Sequence, residues 1–102
     1  MLKIQETENT SVINVNQERL DISIAKKMLD SLQDVLGGSH KEIIVNLRLV
    51  NYMDSSVLGV LVNFQKSVKD QGKNLVITGL SPSIRKIFEL TKLDRFFEIR
   101  DL

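Results

Sequence analysis

The sequence predicts an α/β domain whose sheet has four to five mostly parallel or mixed strands with helices packed on it. Two observations favour this fold class. Short, apolar, β-branched runs alternate along the chain with longer segments of helical spacing. Polar or glycine-containing turns separate these segments. A length of 102 residues corresponds to one domain, so we expect residues 1–102 to fold as a single unit.

The first two predicted elements form a hairpin. Apolar and polar residues alternate over residues 2–5, and a second β-branched stretch covers residues 12–15. The polar residues 8–11 join the two stretches as a turn. This pattern predicts two antiparallel strands at the edge of the sheet.

A first helix is predicted between residues 22 and 36, where apolar side chains recur every three or four positions. Asp21 or Ser23 can cap its start, because both residue types accept hydrogen bonds from free backbone N–H groups. Gly37 and Gly38 can end the helix.

The middle of the chain predicts a strand, a helix and a second strand. Residues 42–47 are a short apolar run, which is typical of a central strand covered on both faces. Apolar positions between residues 57 and 68 have helical spacing, and Gly72 ends that helix. Residues 75–78 predict a further buried strand.

The last predicted elements are a helix and a strand. Ser81 is a suitable cap, and Pro82 then takes the first helical position, where its missing N–H costs no hydrogen bond. Residues 84–91 supply the buried face of this helix. Residues 96–99 predict the final strand.

Composition excludes several function classes. The formal charge is +1, and no run of like charge exceeds two residues, so we expect no direct nucleic-acid partner and no membrane partner. The absence of cysteine excludes thiol chemistry and disulfides, and with a single histidine it also excludes the common zinc sites. His40 lies in a glycine-rich turn, where we expect a solvated side chain. We therefore expect no metal and no cofactor, and proteins as partners.

The sequence also lacks enzyme and targeting signals. The glycines form no phosphate-binding loop of the common types, and no nucleophile elbow surrounds a serine, so we expect no catalytic residues. The N-terminal residues lack the apolar core of a signal peptide. The longest apolar stretch, residues 57–62, is far short of a membrane span. These features predict a cytoplasmic, non-enzymatic protein.

The most informative segment lies at the start of the second helix. Asp54, Ser55 and Ser56 join a polar loop to an apolar run of helical spacing. Backbone N–H groups in a first helical turn have no intrahelical partners, so Asp and Ser are favoured there as caps. A phosphate added to such a serine would also meet the partial positive charge of the helix start. The segment therefore predicts an exposed serine that could carry a switch.

This segment resembles a known phosphorylation motif. The run 53–60 is similar to the Asp-Ser-[Ser/Thr/Ala]-Gly-Leu-Gly motif of bacterial anti-sigma factor antagonists, which are STAS domains. Residues 19–21, Arg-Leu-Asp, resemble the Gly-[Glu/Asp]-Leu-Asp element of that family. Residues 80–90 resemble its late helix, and a Leu-Asp-Arg-Phe-Phe ending of the usual type follows. The resemblance covers essentially the whole chain and implies a STAS-like fold.

The resemblance implies that the protein works by binding. The unphosphorylated form would bind an anti-sigma factor with serine kinase activity and so release a sigma factor. Phosphorylation of Ser55 would end that binding, and a serine phosphatase would restore it. The partner surface implied by the resemblance consists of five residues, namely Asp21, Asp54, Ser55, Ser56 and Val57.

Several alternatives stay open on the sequence alone. Ser55 is either an ordinary helix cap or the phosphorylated serine, and Asp21 either only caps the first helix or also shapes the partner surface. Val57 and Glu18 stand where the family patterns have glycine, and we expect the family's C-terminal helix to be shortened or absent. The alternative function is a non-catalytic STAS scaffold subunit of a signalling assembly or a lipid transport system.

Overall fold

The protein is built from a five-stranded sheet and three helices, in a computed structural model that describes residues 2–101. A second, two-stranded sheet lies beside the main one. The strands are β1 (Leu2–Glu6), β2 (Thr10–Val15), β3 (Arg19–Leu20), β4 (Glu42–Asn46), β5 (Tyr52–Met53), β6 (Asn74–Thr78) and β7 (Glu98–Arg100). The helices are α1 (Ile22–Leu36), α2 (Ser55–Asp70) and α3 (Pro82–Leu90). The α/β class and the mixed, mostly parallel sheet are confirmed.

The order of strands in the main sheet is β1-β2-β4-β6-β7. Only β1 is antiparallel to its neighbour, and it forms the edge hairpin predicted from the sequence. The chain then passes from β2 to β4, β6 and β7, each parallel to the strand before it and each reached through one helix. Because such crossovers are right-handed and all step in the same direction, the three helices belong on one face.

One face of β4 meets the helices and the other does not, so the prediction of a strand covered on both faces is wrong. Ile43 and Val45 are fully buried in the hydrophobic core. Ile44, which points the opposite way, is only half-buried. A short apolar run predicts a strand that is covered on both faces. Here all three helices pack on one face of the sheet, so no element covers the other face of β4.

On the open face of the sheet, several polar side chains form ion pairs or hydrogen bonds with one another. Arg100 on β7 forms an ion pair with Glu98 on the same strand at 2.6 Å. It also reaches across β6 to Glu42 on β4, at 3.5 Å. Val76 lies between these strands on the same face and is fully buried, although it is not part of the core under the helices. The aliphatic stem and ion pairs of Arg100 therefore account for its burial.

Side-chain amides link the strands at the other side of this face. Asn46 donates to Asn14 at 3.0 Å, and Asn14 donates to Gln5 at 3.3 Å. The Asn46 side-chain oxygen also accepts the backbone N–H of Arg48. Gly79 packs tightly against this oxygen and against the backbone of Arg48, and its φ angle is +75°. A Cβ at position 79 would lie 2.6 Å from the Asn46 oxygen, so only glycine fits this close approach.

The C-terminal strand and the histidine differ from the sequence-based predictions. The last strand is Glu98–Arg100 and not residues 96–99, because Phe97 turns into the core, where it packs on Phe88 with ring centroids 5.6 Å apart. No helix follows β7 within the described residues. The side chain of His40 is only 12% exposed and lies 3.9 Å from Glu6, so the prediction of a solvated histidine is wrong.

The ends of the helices follow the predicted capping residues in most cases. The Ser81 hydroxyl accepts the N–H of Ile84, with Pro82 in the first turn of α3. The end of α1 has an additional partner that the sequence did not reveal. Lys73, far along the chain, donates from Nζ to the carbonyl oxygens of Leu36 and Gly38 at 2.9 and 2.6 Å. Its positive charge suits the negative end of the helix dipole.

We predict that Arg100→Ala lowers the free energy of unfolding by about 1 kcal/mol, because it uncovers Val76 and leaves two carboxylates without their cation. For a domain of this size the change corresponds to a decrease in melting temperature of about 4–8 °C. Arg95→Ala is the control, since Arg95 is exposed and its side chain makes no ion pair with residues 2–101. Equal melting temperatures for the two variants would contradict this role of Arg100.

Candidate phosphorylation and partner-binding site

The starts of two helices meet at one carboxylate. The Oδ1 atom of Asp54 accepts the backbone N–H groups of Ser56 and Val57, at 3.1 and 3.2 Å, in the first turn of α2. Its Oδ2 atom accepts the N–H of Ile22, the first residue of α1, at 3.0 Å. A single side chain therefore supplies acceptors to free donors at both helix starts.

A short parallel ladder brings these helix starts together. β3 and β5 pair with Arg19 opposite Tyr52 and Leu20 opposite Met53. The N–H of Asp54 then donates to the carbonyl oxygen of Leu20 at 3.1 Å. Leu20 and Met53 are buried, so this small sheet is anchored in the core. Because each helix begins two residues after the last residue of its strand, the ladder fixes Asp54 against the start of α1.

The side chain of Asp21 caps α1. Its Oδ1 atom accepts the N–H of Ser23 at 3.0 Å and the Ser23 hydroxyl at 2.5 Å. Its Oδ2 atom accepts the Nε–H of Arg19 at 3.4 Å. These contacts, and above all the hydrogen bond from the Ser23 hydroxyl, hold the pKa of Asp21 below its ordinary value. Of the two caps that the sequence left open, Asp21 therefore takes the role.

Asp54 is also held in its charged form. The hydrogen bond from the Ser56 hydroxyl is the largest cause that lowers the pKa of its carboxyl group. Desolvation, the next largest cause, opposes it, and the hydrogen bonds from the backbone N–H groups of Val57, Ile22 and Ser56 add to the lowering. The ionised carboxylates of Asp54 and Asp21 therefore accept hydrogen bonds from two neighbouring backbone N–H groups of α1, those of Ile22 and Ser23 respectively. Their negative charges suit the positive end of the helix dipole.

The two adjacent serines have different environments. The hydroxyl of Ser56 donates to Asp54 Oδ1 at 2.5 Å and is partly buried. Ser55 is exposed at the first position of α2, and its hydroxyl has no hydrogen-bond partner within residues 2–101. An incoming group can therefore reach the Ser55 hydroxyl without breaking an existing hydrogen bond.

Val57 is placed differently from the other predicted site residues. Its side chain is fully buried and belongs to the hydrophobic core. Its backbone N–H is already bonded to Asp54. A partner contact at this position would therefore not involve the valine side chain, and its bulk points away from Ser55.

The structure brings Asp21, Asp54, Ser55 and Ser56 together on one surface. Three surface residues beside them escaped the sequence analysis, namely Arg19, Ile22 and Tyr52. No signal in the sequence marked Ile22, because its spacing to Ala25 and Leu29 is that of the apolar face of α1. The strands β3 and β5, with two residues each, are too short to produce a pattern.

Comparison with known proteins shows which family this architecture represents. The sequence profile of the STAS domain matches residues 1–101. The anti-sigma-B factor antagonist of Staphylococcus aureus strain NCTC 8325 is 32% identical over 82 residues, which are 80% of this chain and 76% of that protein. The Listeria monocytogenes anti-sigma-B factor antagonist is 29% identical over 101 residues, 99% of this chain and 87% of the relative.

The same similarity holds in three dimensions. A crystal structure described as that of a putative anti-sigma factor antagonist from Thermotoga maritima superposes with a TM-score of 0.90. The alignment covers 99% of this chain and 86% of the other, with 24% sequence identity. At this level of identity the likeness concerns the fold. Within residues 2–101, none of the three helices combines the length and apolar character of a bilayer-spanning helix.

The lowered pKa of Asp54 predicts a pH-dependent contribution to stability. A depressed pKa stabilises the folded state above the ordinary aspartate value of about 3.9, and the contribution is lost as the pH falls through the lower, folded pKa. Asp54→Asn should therefore lower the melting temperature at pH 7, and the difference from wild type should shrink at pH 3 and below. Thermal unfolding across this range measures it. A pH-independent difference would mean that the charge of Asp54 contributes nothing.

The burial of Val57 predicts a loss of stability when its side chain is shortened. Val57→Ala removes two buried methyl groups and should cost about 2–3 kcal/mol, from the lost transfer energy and the cavity left behind. Val62→Ala in the same helix is the matched control, and it should cost less because Val62 is only partly buried. Denaturant unfolding compares the two. A surface role for the Val57 side chain would instead leave stability almost unchanged.

Proposed function

The chain belongs to the STAS-domain family of anti-sigma factor antagonists. We therefore propose that phosphorylation of Ser55 switches its binding to a partner protein on and off. In its unphosphorylated form it binds an anti-sigma factor that has serine kinase activity, and the sigma factor is released. The same partner phosphorylates Ser55 and thereby ends the complex. A serine phosphatase removes the phosphate and restores binding. The cycle takes place in the cytoplasm and needs no catalytic group or cofactor on this chain.

The observation that carries this proposal is the free hydroxyl of Ser55 at the start of α2. It is exposed, it has no hydrogen-bond partner in the described part of the chain, and it lies directly beside the start of α1. The neighbouring hydroxyl of Ser56 is bound to Asp54, so a transferred phosphate would have to displace that hydrogen bond. This difference favours Ser55 over Ser56 as the modified residue.

The contacts of Asp54 indicate where the phosphate would lie. The carboxylate already occupies the N–H groups of Ser56 and Val57, so these donors are not available to a phosphate on Ser55. The new group, with a charge of about −1.5 to −2, would therefore face outward, beside two ionised carboxylates. A phosphate in that position alters the surface and leaves the capping of α2 intact.

This placement gives a physical reason for release. In a docked complex the phosphate on Ser55 would lose part of its hydration and would meet the groups that the partner had arranged for a neutral hydroxyl. Juxtaposition of like charges in an interface costs several kcal/mol. A loss of about 1.4 kcal/mol already weakens binding tenfold, so a single phosphate suffices to end a complex of ordinary affinity.

We predict that incubation with ATP and the anti-sigma factor of the source organism places one phosphate on Ser55. Mass spectrometry of the digested protein identifies the modified residue. Ser55→Ala should accept no phosphate and should stay bound to the partner in the presence of ATP. Ser56→Ala is the matched control, and it should still be phosphorylated because its neighbour keeps the free hydroxyl.

Two results would count against the proposal. Phosphate on Ser56 alone would contradict the assignment of the site. An absence of both phosphorylation and binding with the anti-sigma factors of the source organism would favour the alternative function, a scaffold subunit, because such a protein needs no modifiable serine.

A further inference from the structure

Two exposed large apolar side chains, those of Ile22 and Tyr52, lie near Ser55. Within residues 2–101 the exposed large apolar side chains are Ile4, Ile22, Leu49, Tyr52 and Leu90. Ile22 is 75% exposed, and its backbone N–H is bonded to Asp54, the residue that precedes Ser55. A side chain this exposed at the first position of α1 contributes almost nothing to the core. It is therefore available to a partner that docks over Ser55.

A second exposed feature lies on the short ladder beside this site. The guanidinium of Arg19 stacks over the ring of Tyr52 at 4.0 Å from the ring centroid. Tyr52 is 40% exposed and precedes Asp54 by two residues. Arg19 uses its Nε–H for Asp21, while its remaining N–H groups have no acceptor in the described part of the chain. The stacking holds the guanidinium in place with these donors directed to solvent.

We propose that Ile22 and Arg19 are the two residues that anchor the anti-sigma factor on this chain, with Tyr52 as the support for Arg19. The partner surface that fits them has an apolar pocket for Ile22 next to an acidic side chain for Arg19. Residues that fill well-packed, desolvated pockets at the centre of an interface, arginine and aromatic residues above all, commonly contribute most of its binding energy. This inference rests on the proposed function, because it concerns the partner of the same site.

The inferred acidic group also explains the sensitivity to phosphate. A carboxylate of the partner that pairs with Arg19 would lie in the same interface as Ser55, since Arg19 is paired with Tyr52 in the strand that leads to the serine. A phosphate on Ser55 would repel this carboxylate and compete with it for the guanidinium. Arg19 is thus a specificity-determining residue for the choice of partner.

The test measures binding isotherms of the full chain with the purified anti-sigma factor of the source organism. Ile22→Ser should weaken binding at least tenfold, whereas Leu90→Ser should leave it unchanged, because Leu90 is 74% exposed at the far end of α3. Serine keeps the N–H that binds Asp54, so the fold should be unaffected. Equal melting temperatures verify this.

The charge is tested separately. Arg19→Glu should also weaken binding at least tenfold, while Arg95→Glu, with the same change in net charge at an exposed turn, should have a much smaller effect. Measurement at two salt concentrations should show that added salt weakens binding of wild type. For Arg19→Glu this dependence should be lost or reversed, because the inferred ion pair with the partner is replaced by repulsion between two carboxylates, which salt screens.

The outcomes separate this inference from the proposed function. If wild type binds and Ile22→Ser binds as tightly as Leu90→Ser, the Ile22 anchor is wrong although the proposed function stands. If Arg19→Glu behaves like Arg95→Glu, the acidic pairing group is wrong. If wild type binds no anti-sigma factor, both the proposed function and this inference fail.

Discussion

The site depends on one carboxylate that serves two helices. Asp54 accepts N–H groups from the starts of both α1 and α2, and it can do so because the short strands β3 and β5 place the two starts side by side. An ionised carboxylate suits this position, since it offers two acceptor oxygens and a negative charge to donors that carry partial positive charge. Without it the ladder would still hold the two strands together, but the two helix starts would lose the side chain that they share. The geometry of the proposed switch therefore follows from a capping interaction.

The one-sided sheet determines where partners can bind. Three crossovers of the same hand place every helix on one face of the sheet. On the opposite face, Arg100 forms ion pairs with two glutamates, and the side-chain amides of Asn14 and Asn46 are hydrogen-bonded to each other. The side chains of Arg100, Glu42 and Asn46 are thus already paired within the chain. The edge where the helices begin is different, because it exposes the hydroxyl of Ser55, the guanidinium of Arg19 and the side chain of Ile22. This edge therefore offers a hydroxyl, a cation and an apolar side chain to a partner.

The sequence predicted the long elements well and the contacts between distant segments poorly. Helices α1, α2 and α3 have strong periodicity and recognisable caps, so their positions and starts were predictable from local patterns. Asp54 was predicted as a cap of α2, but its bond to Ile22 joins residues 32 positions apart and has no local signature. The open face of β4 was missed for the same reason, because an apolar run does not reveal which side its helices cover. The mostly apolar residues 96–99 predict a strand, but the strand begins only at Glu98 because the side chain of Phe97 packs into the core.

The position of Ser55 in a helix restricts how any enzyme can recognise it. The serine lies between Asp54, whose carboxylate is held by hydrogen bonds, and Val57, whose side chain is locked in the core two residues further on. Drawing this segment into an extended shape would break the first turn of α2 and pull Val57 out of the core. A modifying enzyme must therefore accept the folded surface and cannot rely on a linear peptide. In the proposed cycle folding would then act as a checkpoint, because only chains whose two helices have assembled correctly would present the serine in a form that the partner could modify.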